Sequence, residues 1–232
     1  MPDEPRTMLI TGASTGIGAA TARLAVAAGW RVALAARTED KLRELTDELG
    51  DGAALAERCD VTDLADQERL VAATLDRFGQ IDAVFANAGF GAARGFLKED
   101  PEQWRSMVLT NVLGVAFTIR ATMPHLRERG AGHYVLTGSV AGRRALPGSL
   151  YSATKWAVTG MAESLRQELR QDESRIRVTL VEPGMVDTPF FDNRPTDALE
   201  ADDIARVVLF ALDQPDRVDV NEVLVRPTSQ AS

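Results

Sequence analysis

Thr11-Gly12-Ala13-Ser14-Thr15-Gly16-Ile17-Gly18 decides how this chain is read. It stands between a short apolar run, residues 7–10, and a helical stretch that continues to about Ala28 and stops at Gly29. Glycines at a strand-to-helix turn let the backbone bend sharply and approach a pyrophosphate at the helix N-terminus, where unpaired N–H groups and the helix dipole favour an anion. Here they are Gly12, Gly16 and Gly18, spaced G-x-x-x-G-x-G instead of the more widespread G-x-G-x-x-G.

Outward from that turn, strands and helices alternate. Residues 31–35 read as a second strand and 40–49 as a helix ended by Gly50, which completes one βαβ unit. Further strands are expected over 53–59, 83–86, 134–137, 176–181 and 222–225, with helices over 63–78, 104–129, 150–170 and 202–212. This is the pattern of an α/β chain with a parallel sheet covered by helices. No linker, repeat or low-complexity block divides residues 1–232, so a single domain is expected, with an ordered core over 6–226 and a polar tail over 227–232. Right-handed crossovers bring the glycine turn and the C-terminal ends of the strands to one edge, where ligands of open α/β sheets bind.

Composition narrows the function classes. With 45% hydrophobic and 26% charged residues, the balance is that of a globular protein, neither disordered nor fibrous. A net charge of −8 points away from nucleic acid, while leaving room for a local basic spot. Cys59 is the only cysteine, so no intrachain disulfide forms; beside His125 and His133 alone, it makes a soft-ligand metal site unexpected. Met1-Pro2-Asp3-Glu4-Pro5 lacks the start of a secretory signal, and no later apolar run reads as long enough to span a bilayer. A cytoplasmic protein without membrane contact is expected.

Farther along, Tyr151-Ser152-Ala153-Thr154-Lys155 puts a phenol and an ammonium on one helix face. A tyrosine ordinarily releases its proton near pH ~10. A nearby cation, joined by the positive ring of an oxidised nicotinamide held at the glycine turn, favours the phenolate and lowers that value, which makes Tyr151 a usable general acid/base. Ser139, in Leu136-Thr137-Gly138-Ser139-Val140-Ala141-Gly142, follows the fifth strand, and its hydroxyl can donate to a carbonyl oxygen on which charge develops. Singly, each has an ordinary reading as a half-buried tyrosine, a solvated lysine and a turn serine.

Together, the glycine turn, Ser139 and Tyr151-x-x-x-Lys155 resemble the short-chain dehydrogenase/reductase family over nearly the whole chain. The resemblance implies a single-domain Rossmann fold, a doubly wound parallel sheet of seven strands in the order 3-2-1-4-5-6-7 with helices on both faces. It also implies an oxidoreductase that acts on CH–OH groups with a nicotinamide dinucleotide and assembles as a homodimer or homotetramer. Catalysis falls by resemblance to Asn111, Ser139, Tyr151 and Lys155, with Asn111 holding a water on a proton path to the lysine and Lys155 also bonding the nicotinamide ribose. The cofactor contacts are Gly12, Ser14, Thr15, Gly16, Ile17 and Gly18, then Asp60 and Val61 at the adenine, then Asn87, Ala88 and Gly89. Tyr151, Lys155, Pro183, Gly184, Val186 and Thr188 complete them at the nicotinamide end, where Val186 would act through its backbone and Thr188 through its hydroxyl.

The end of the second strand, roughly 20 residues past the glycines, carries an acid in chains that hold the ribose hydroxyls of NAD. Here stand Ala36 and Arg37. No carboxylate repels a 2′-phosphate and a guanidinium grips it bidentately, so NADP is expected over NAD. The alternative for Arg37 is a solvated arginine at a strand end.

By the same resemblance the substrate lid spans residues 187–199, short enough to favour a small-molecule alcohol or carbonyl substrate. Phe90, Phe96, Met185, Phe190 and Phe191 form either an apolar pocket or core and interface; Arg143 and Arg144 either pair with the carboxylate of a hydroxy acid or are solvated. Residues 218–228 resemble hydroxy-acid and serine dehydrogenases. Trp156, Val158, Met161, Ala162, Leu165 and Leu169 cover more of their helix than one core stripe needs, which a subunit interface would absorb. Two rival classes stay open, a non-catalytic NADP(H)-binding sensor or scaffold on the same fold and a sugar-nucleotide epimerase or dehydratase. Against the second stand the glycine spacing and the lack of an extra C-terminal substrate domain.

Overall fold

Thr7–Thr11 (β1), Arg31–Ala36 (β2), Ala54–Arg58 (β3), Ala83–Ala86 (β4), Ala131–Thr137 (β5), Arg175–Pro183 (β6) and Glu222–Val225 (β7) form one seven-stranded sheet in the order β3-β2-β1-β4-β5-β6-β7. Every pairing is parallel. The structure is a computed structural model that describes residues 5–91, 93–172, 174–191 and 195–230. Residues 1–4 of the expected signal-free start, 192–194 of the lid and 231–232 of the tail lie outside the described residues.

A parallel strand buried on both faces has no polar side to show, and β1 and β4 are buried at every position. Successive side chains point to opposite faces. Met8 and Ile10 therefore join one core layer with Leu34, Phe85, Ile204 and Val208, while Leu9 joins the other with Val84, Tyr134, Val158 and Leu165. Helices Gly16–Ala27 (α1), Glu39–Leu49 (α2) and Ala201–Leu212 (which becomes α7 in chain order) contribute to the first layer. Leu64–Phe78 (α3), Val115–Arg129 (α5) and Leu150–Gln171 (α6) contribute to the second, with Pro101–Val108 (α4) leading into α5.

Local chemistry sets the ends. Asp63 and Asp100 cap α3 and α4 by accepting from Ala65 N and Glu102 N, with Pro101 opening α4, and Gly79 ends α3 at φ 76°. Three features were not foreseen. The expected helix over 104–129 begins at Pro101 and contains a π-helical stretch, Leu109–Gly114, between α4 and α5. A second, two-stranded parallel pair, Val186–Asp187 with Leu199–Glu200, joins the two ends of the segment that was expected to form a lid. The supposed tail also packs down, since Pro227 is buried and Gln230 accepts from Met185 N at 2.9 Å.

One expectation is corrected. The helical run Pro101–Arg129, of 29 residues, is long and apolar enough to cross a membrane by length and composition. Met107, Val115 and Leu126 on it are buried against the rest of the protein, so its apolar character also serves the core.

Candidate active site

The cradle comes first. Gly12 and Gly16 have φ of 65° and 55°, which L side chains rarely adopt. A Cβ on Gly12 would lie 2.8 Å from Ala88 Cα, and one on Gly18 would lie 2.3 Å from Gly12 O. A Cβ on Gly16 would come within 3.2 Å of the Thr188 side chain, so the segment after Pro183 closes over the glycine turn. At the start of α1, Thr15 makes no side-chain cap and the first turn carries no acid, leaving its N–H groups to an anion. This bare, tightly bounded backbone fits a dinucleotide pyrophosphate.

Asn87 holds the cradle from behind. Its Nδ2 donates to Thr11 O and Gly12 O at 3.2 Å each, and its Oδ1 accepts from Thr137 Oγ1 at 3.1 Å. Thr11 Oγ1 in turn accepts from Asn87 N and Ala88 N. The Asn87 side chain thus ties the ends of β1, β4 and β5 together, and its position next to Ala88 and Gly89 leaves backbone for a ligand.

Beyond the end of β3, Asp60 Oδ1 accepts from Thr62 N and Thr62 Oγ1 at 3.0 and 2.8 Å, while Asp60 N donates to Asp66 Oδ2 at 2.9 Å. That backbone bond is the main cause holding the Asp66 carboxyl below the usual carboxylate range. Val61 is buried, and Gln67 Nε2 donates to Val61 O and Gly114 O at 3.0 Å each. Asp66 and Gln67 were missed from sequence; their only signal was polar side chains on the inner face of α3. At the end of β2, Arg37 is exposed and no described residue pairs with it, whereas Arg58 on the neighbouring strand lies 3.9 Å from both Glu39 and Asp66.

Ser139, Tyr151 and Lys155 come together at the C-terminal ends of β5 and β6. Tyr151 sits in the first turn of α6, which Ser149 caps by accepting from Ser152 N. Ser139 caps the 3-10 turn Val140–Gly142 by accepting from Ala141 N at 3.1 Å, its hydroxyl donates to Pro183 O at 3.5 Å, and it stands near enough to the Tyr151 phenol to act on its proton. Lys155, one turn beyond Tyr151, donates to Thr137 O at 2.8 Å and lies 5.7 Å from the Tyr151 ring centroid.

Asn111 reaches this group through the π-helical stretch, a feature frequent at functional sites. Its Nδ2 donates to Phe90 O at 2.9 Å and Thr154 Oγ1 at 3.1 Å, and its Oδ1 accepts from Phe90 N at 3.0 Å. Thr154 Oγ1 donates to Tyr151 O at 2.7 Å. The Asn111 side chain therefore fixes the loop after β4 to the turn carrying Tyr151. Gly89 lies between, where a Cβ would stand 3.0 Å from Asn111 Oδ1 and 3.8 Å from Lys155 Nζ.

The electrostatics depart from expectation. Burial pushes the Tyr151 phenol up to about 12, with the Ser139 hydroxyl drawing it partly back, and burial lowers Lys155 to about 8. The ammonium turns toward the Thr137 carbonyl, and loss of water around both groups outweighs the attraction that was expected to lower the tyrosine. Arg143 is a second correction. Its Nε donates to both carboxylate oxygens of the buried Glu182, at 2.7 and 2.9 Å, and its Nη2 bonds Glu222, so this guanidinium is spent within the protein and is not offered to a substrate carboxylate. Arg144 is exposed. Of the aromatics, Phe96 pairs with Trp104, while Phe190 lies against Tyr151.

The family model for short chain dehydrogenases matches residues 6–199. An uncharacterized oxidoreductase of Listeria monocytogenes is 38% identical, over 97% of each chain. Among solved structures, the alcohol dehydrogenase of the archaeon Thermococcus sibiricus, complexed with 5-hydroxy-NADP, superposes with a TM-score of 0.90 at 32% identity, over 99% of each chain. The closed form of a serine dehydrogenase complexed with NADP+ gives a TM-score of 0.90 at 30% identity, over 97% of this chain and 96% of the other. A further similar structure, from Burkholderia phymatum, is in complex with NAD.

Proposed function

Since the chain belongs to the short-chain dehydrogenase family, we propose that it is an oxidoreductase moving a hydride between NADP(H) and a small alcohol or carbonyl compound. The observation that carries this reading is the meeting of Ser139, Tyr151 and Lys155 beside a glycine cradle that Thr188 closes.

The glycine turn, Asp60 and Val61, and the segment from Pro183 to Thr188 would hold the dinucleotide, whose nicotinamide supplies or accepts the hydride. Ser139 Oγ donates to the substrate oxygen and stabilises charge growing there. Tyr151 Oη gives its proton to that oxygen in reduction and takes it back in oxidation, so hydride and proton together convert a carbonyl to an alcohol. Burial, which pushes the phenol up to about 12, keeps it protonated at neutral pH, so the proton that reduction needs is in place. Lys155, lowered to about 8, exchanges its own proton in the working range and would resupply the tyrosine along the path that Asn111 borders. Arg37 supports NADP, because it is a cation at the ribose end with no described partner.

We also place this chain in a homodimer or homotetramer. Trp156 on α6 is 49% exposed, and Val108, Leu109 and Leu113 at the α4–α5 junction are also exposed, so these helices present apolar side chains that a second copy would cover.

Absorbance of NADPH during incubation with small ketones and aldehydes, and of NADP+ with the matching alcohols, tests the proposal. Turnover on a member of the panel is expected; NADPH binding without turnover across it would move the reading to a sensor or scaffold.

A further inference from the structure

The ring of Phe190 lies edge-on to Tyr151, with centroids 5.6 Å apart and planes at 61°. It is backed by Phe191 at 5.1 Å and 73°. Its far end rests on the loop after β4, where a Cβ on Gly91 would fall 2.8 Å from Phe190 Cζ. One aromatic ring therefore bridges from the segment behind Thr188 to Gly91 directly beside the phenol, and it seats there because position 91 has no side chain. Phe190 keeps 40% of its surface exposed, so a face remains open to a ligand. Behind it, Phe191 N donates to Thr188 O at 3.3 Å, which couples the ring's position to the residue that closes the glycine cradle.

We propose that Phe190 sets the substrate class: it is the wall against which the group on the carbonyl carbon packs, and it selects neutral ketones or aldehydes bearing a compact aryl or alkyl group over oxo or hydroxy acids. This rests on the proposed hydride transfer at Tyr151. An apolar substituent gains by leaving water against this ring. A carboxylate at the same place loses its hydration and meets an aromatic surface, a costly exchange without a paired cation. Of the two guanidiniums that follow Ser139 in sequence, that of Arg143 is held by Glu182 and Glu222, and that of Arg144 is exposed to water. Gly91 acts as a positioning residue through Phe190.

The test is kcat/KM with NADPH for acetone, acetophenone and a 3-oxo acid, measured on the native protein, Phe190→Ala, Phe190→Leu and Gly91→Ala, with NADPH affinity taken for each variant to show that it folds. The native protein is expected to prefer acetophenone to the oxo acid by at least about tenfold, which corresponds to about 1.4 kcal/mol. Phe190→Ala should lose at least that factor on acetophenone, chiefly in KM, with a smaller loss on acetone. Gly91→Ala should show the same pattern, and Phe190→Leu should fall between. A native preference for the oxo acid, or equal losses on all three carbonyls in Phe190→Ala, overturns the proposal while leaving hydride transfer intact. No turnover of any carbonyl by the native protein overturns both.

Discussion

Arg143 donates through Nε to both carboxylate oxygens of Glu182, at 2.7 and 2.9 Å, and so ties the 3-10 turn that follows Ser139 to the end of β6. Gly138 permits this approach, since a Cβ there would stand 2.9 Å from Glu182 Cγ. The pair pushes the Arg143 pKa up, chiefly through the Glu182 bond. Removing Arg143 leaves a carboxylate that is only 1% exposed without its partner, although the guanidinium side keeps 40% of its surface in water and the loss is screened accordingly. Arg143→Met should therefore destabilise the protein by about 1–2 kcal/mol in urea denaturation. Glu182→Gln, which keeps the shape, should lose less stability yet lower kcat more than it raises KM, because the Ser139 hydroxyl is displaced. Unchanged kcat in Glu182→Gln would show that the tie serves stability alone.

Arg37→Ala should weaken NADPH binding by about 10- to 100-fold, the range for a charge-assisted bidentate contact worth about 1.5–3 kcal/mol. NADH binding should stay within about twofold, since 1.4 kcal/mol is tenfold and NADH lacks the 2′-phosphate. Titration of intrinsic fluorescence with each cofactor decides it, and equal losses for both would remove Arg37 from the phosphate.

His133 predicts an acid limb in stability. Its ring is buried in β5, bonded through Nε2 to Thr179 Oγ1 at 2.7 Å, and burial first, then the charge of Arg177, pushes it down to about 3 from an ordinary 6.5. Between those values the unfolded chain binds a proton that the folded chain refuses. Stability from this group is therefore complete above 6.5 and falls as pH drops toward 3, by up to about 1.4 kcal/mol per pH unit. His133→Gln should flatten the slope of stability between pH 4 and 6.5; an unchanged slope would assign the acid limb to other groups.

Gln230 lies at the far end of the described chain, yet its Oε1 accepts from Met185 N in the turn after Pro183. Ser229 Oγ adds a bond to Asp197 O at 3.1 Å. A net hydrogen bond contributes about 1 kcal/mol to stability, so Gln230→Ala should lower the melting temperature by about 2–4 °C and, by loosening the turn after Pro183, weaken NADPH binding by up to about fivefold. A wild-type dissociation constant would show the contact to be passive.

The sequence revealed most where a residue type is demanded locally. Glycine suits φ of 65° at position 12 with Ala88 Cα so close, and strands such as β1 and β4, buried on both faces, are mostly apolar, so the cradle and the strands were legible, while the sheet order came from the family resemblance. Tyr151 and Lys155 were legible because a helix puts positions one turn apart on one face. What escaped depends on contacts distant along the chain. The π-helical stretch Leu109–Gly114 gives no signal in its spacing, and Asn111 within it bonds Phe90 and Thr154, which are distant along the chain. Arg143 with Glu182 and Met185 with Gln230 are likewise pairs that only the fold brings together. The direction of the Tyr151 shift in the protein alone also depends on burial, which a spacing of residues does not show.

The central claim is that the Tyr151 phenol moves the proton that accompanies the hydride. Its most direct test is NADPH consumption with a ketone that the native protein reduces, compared with Tyr151→Phe, with NADPH affinity measured on both. The account predicts that the variant binds NADPH within about twofold of the native protein and turns over about 10³-fold more slowly, the scale of a lost general acid. Turnover by Tyr151→Phe at the native rate would contradict it.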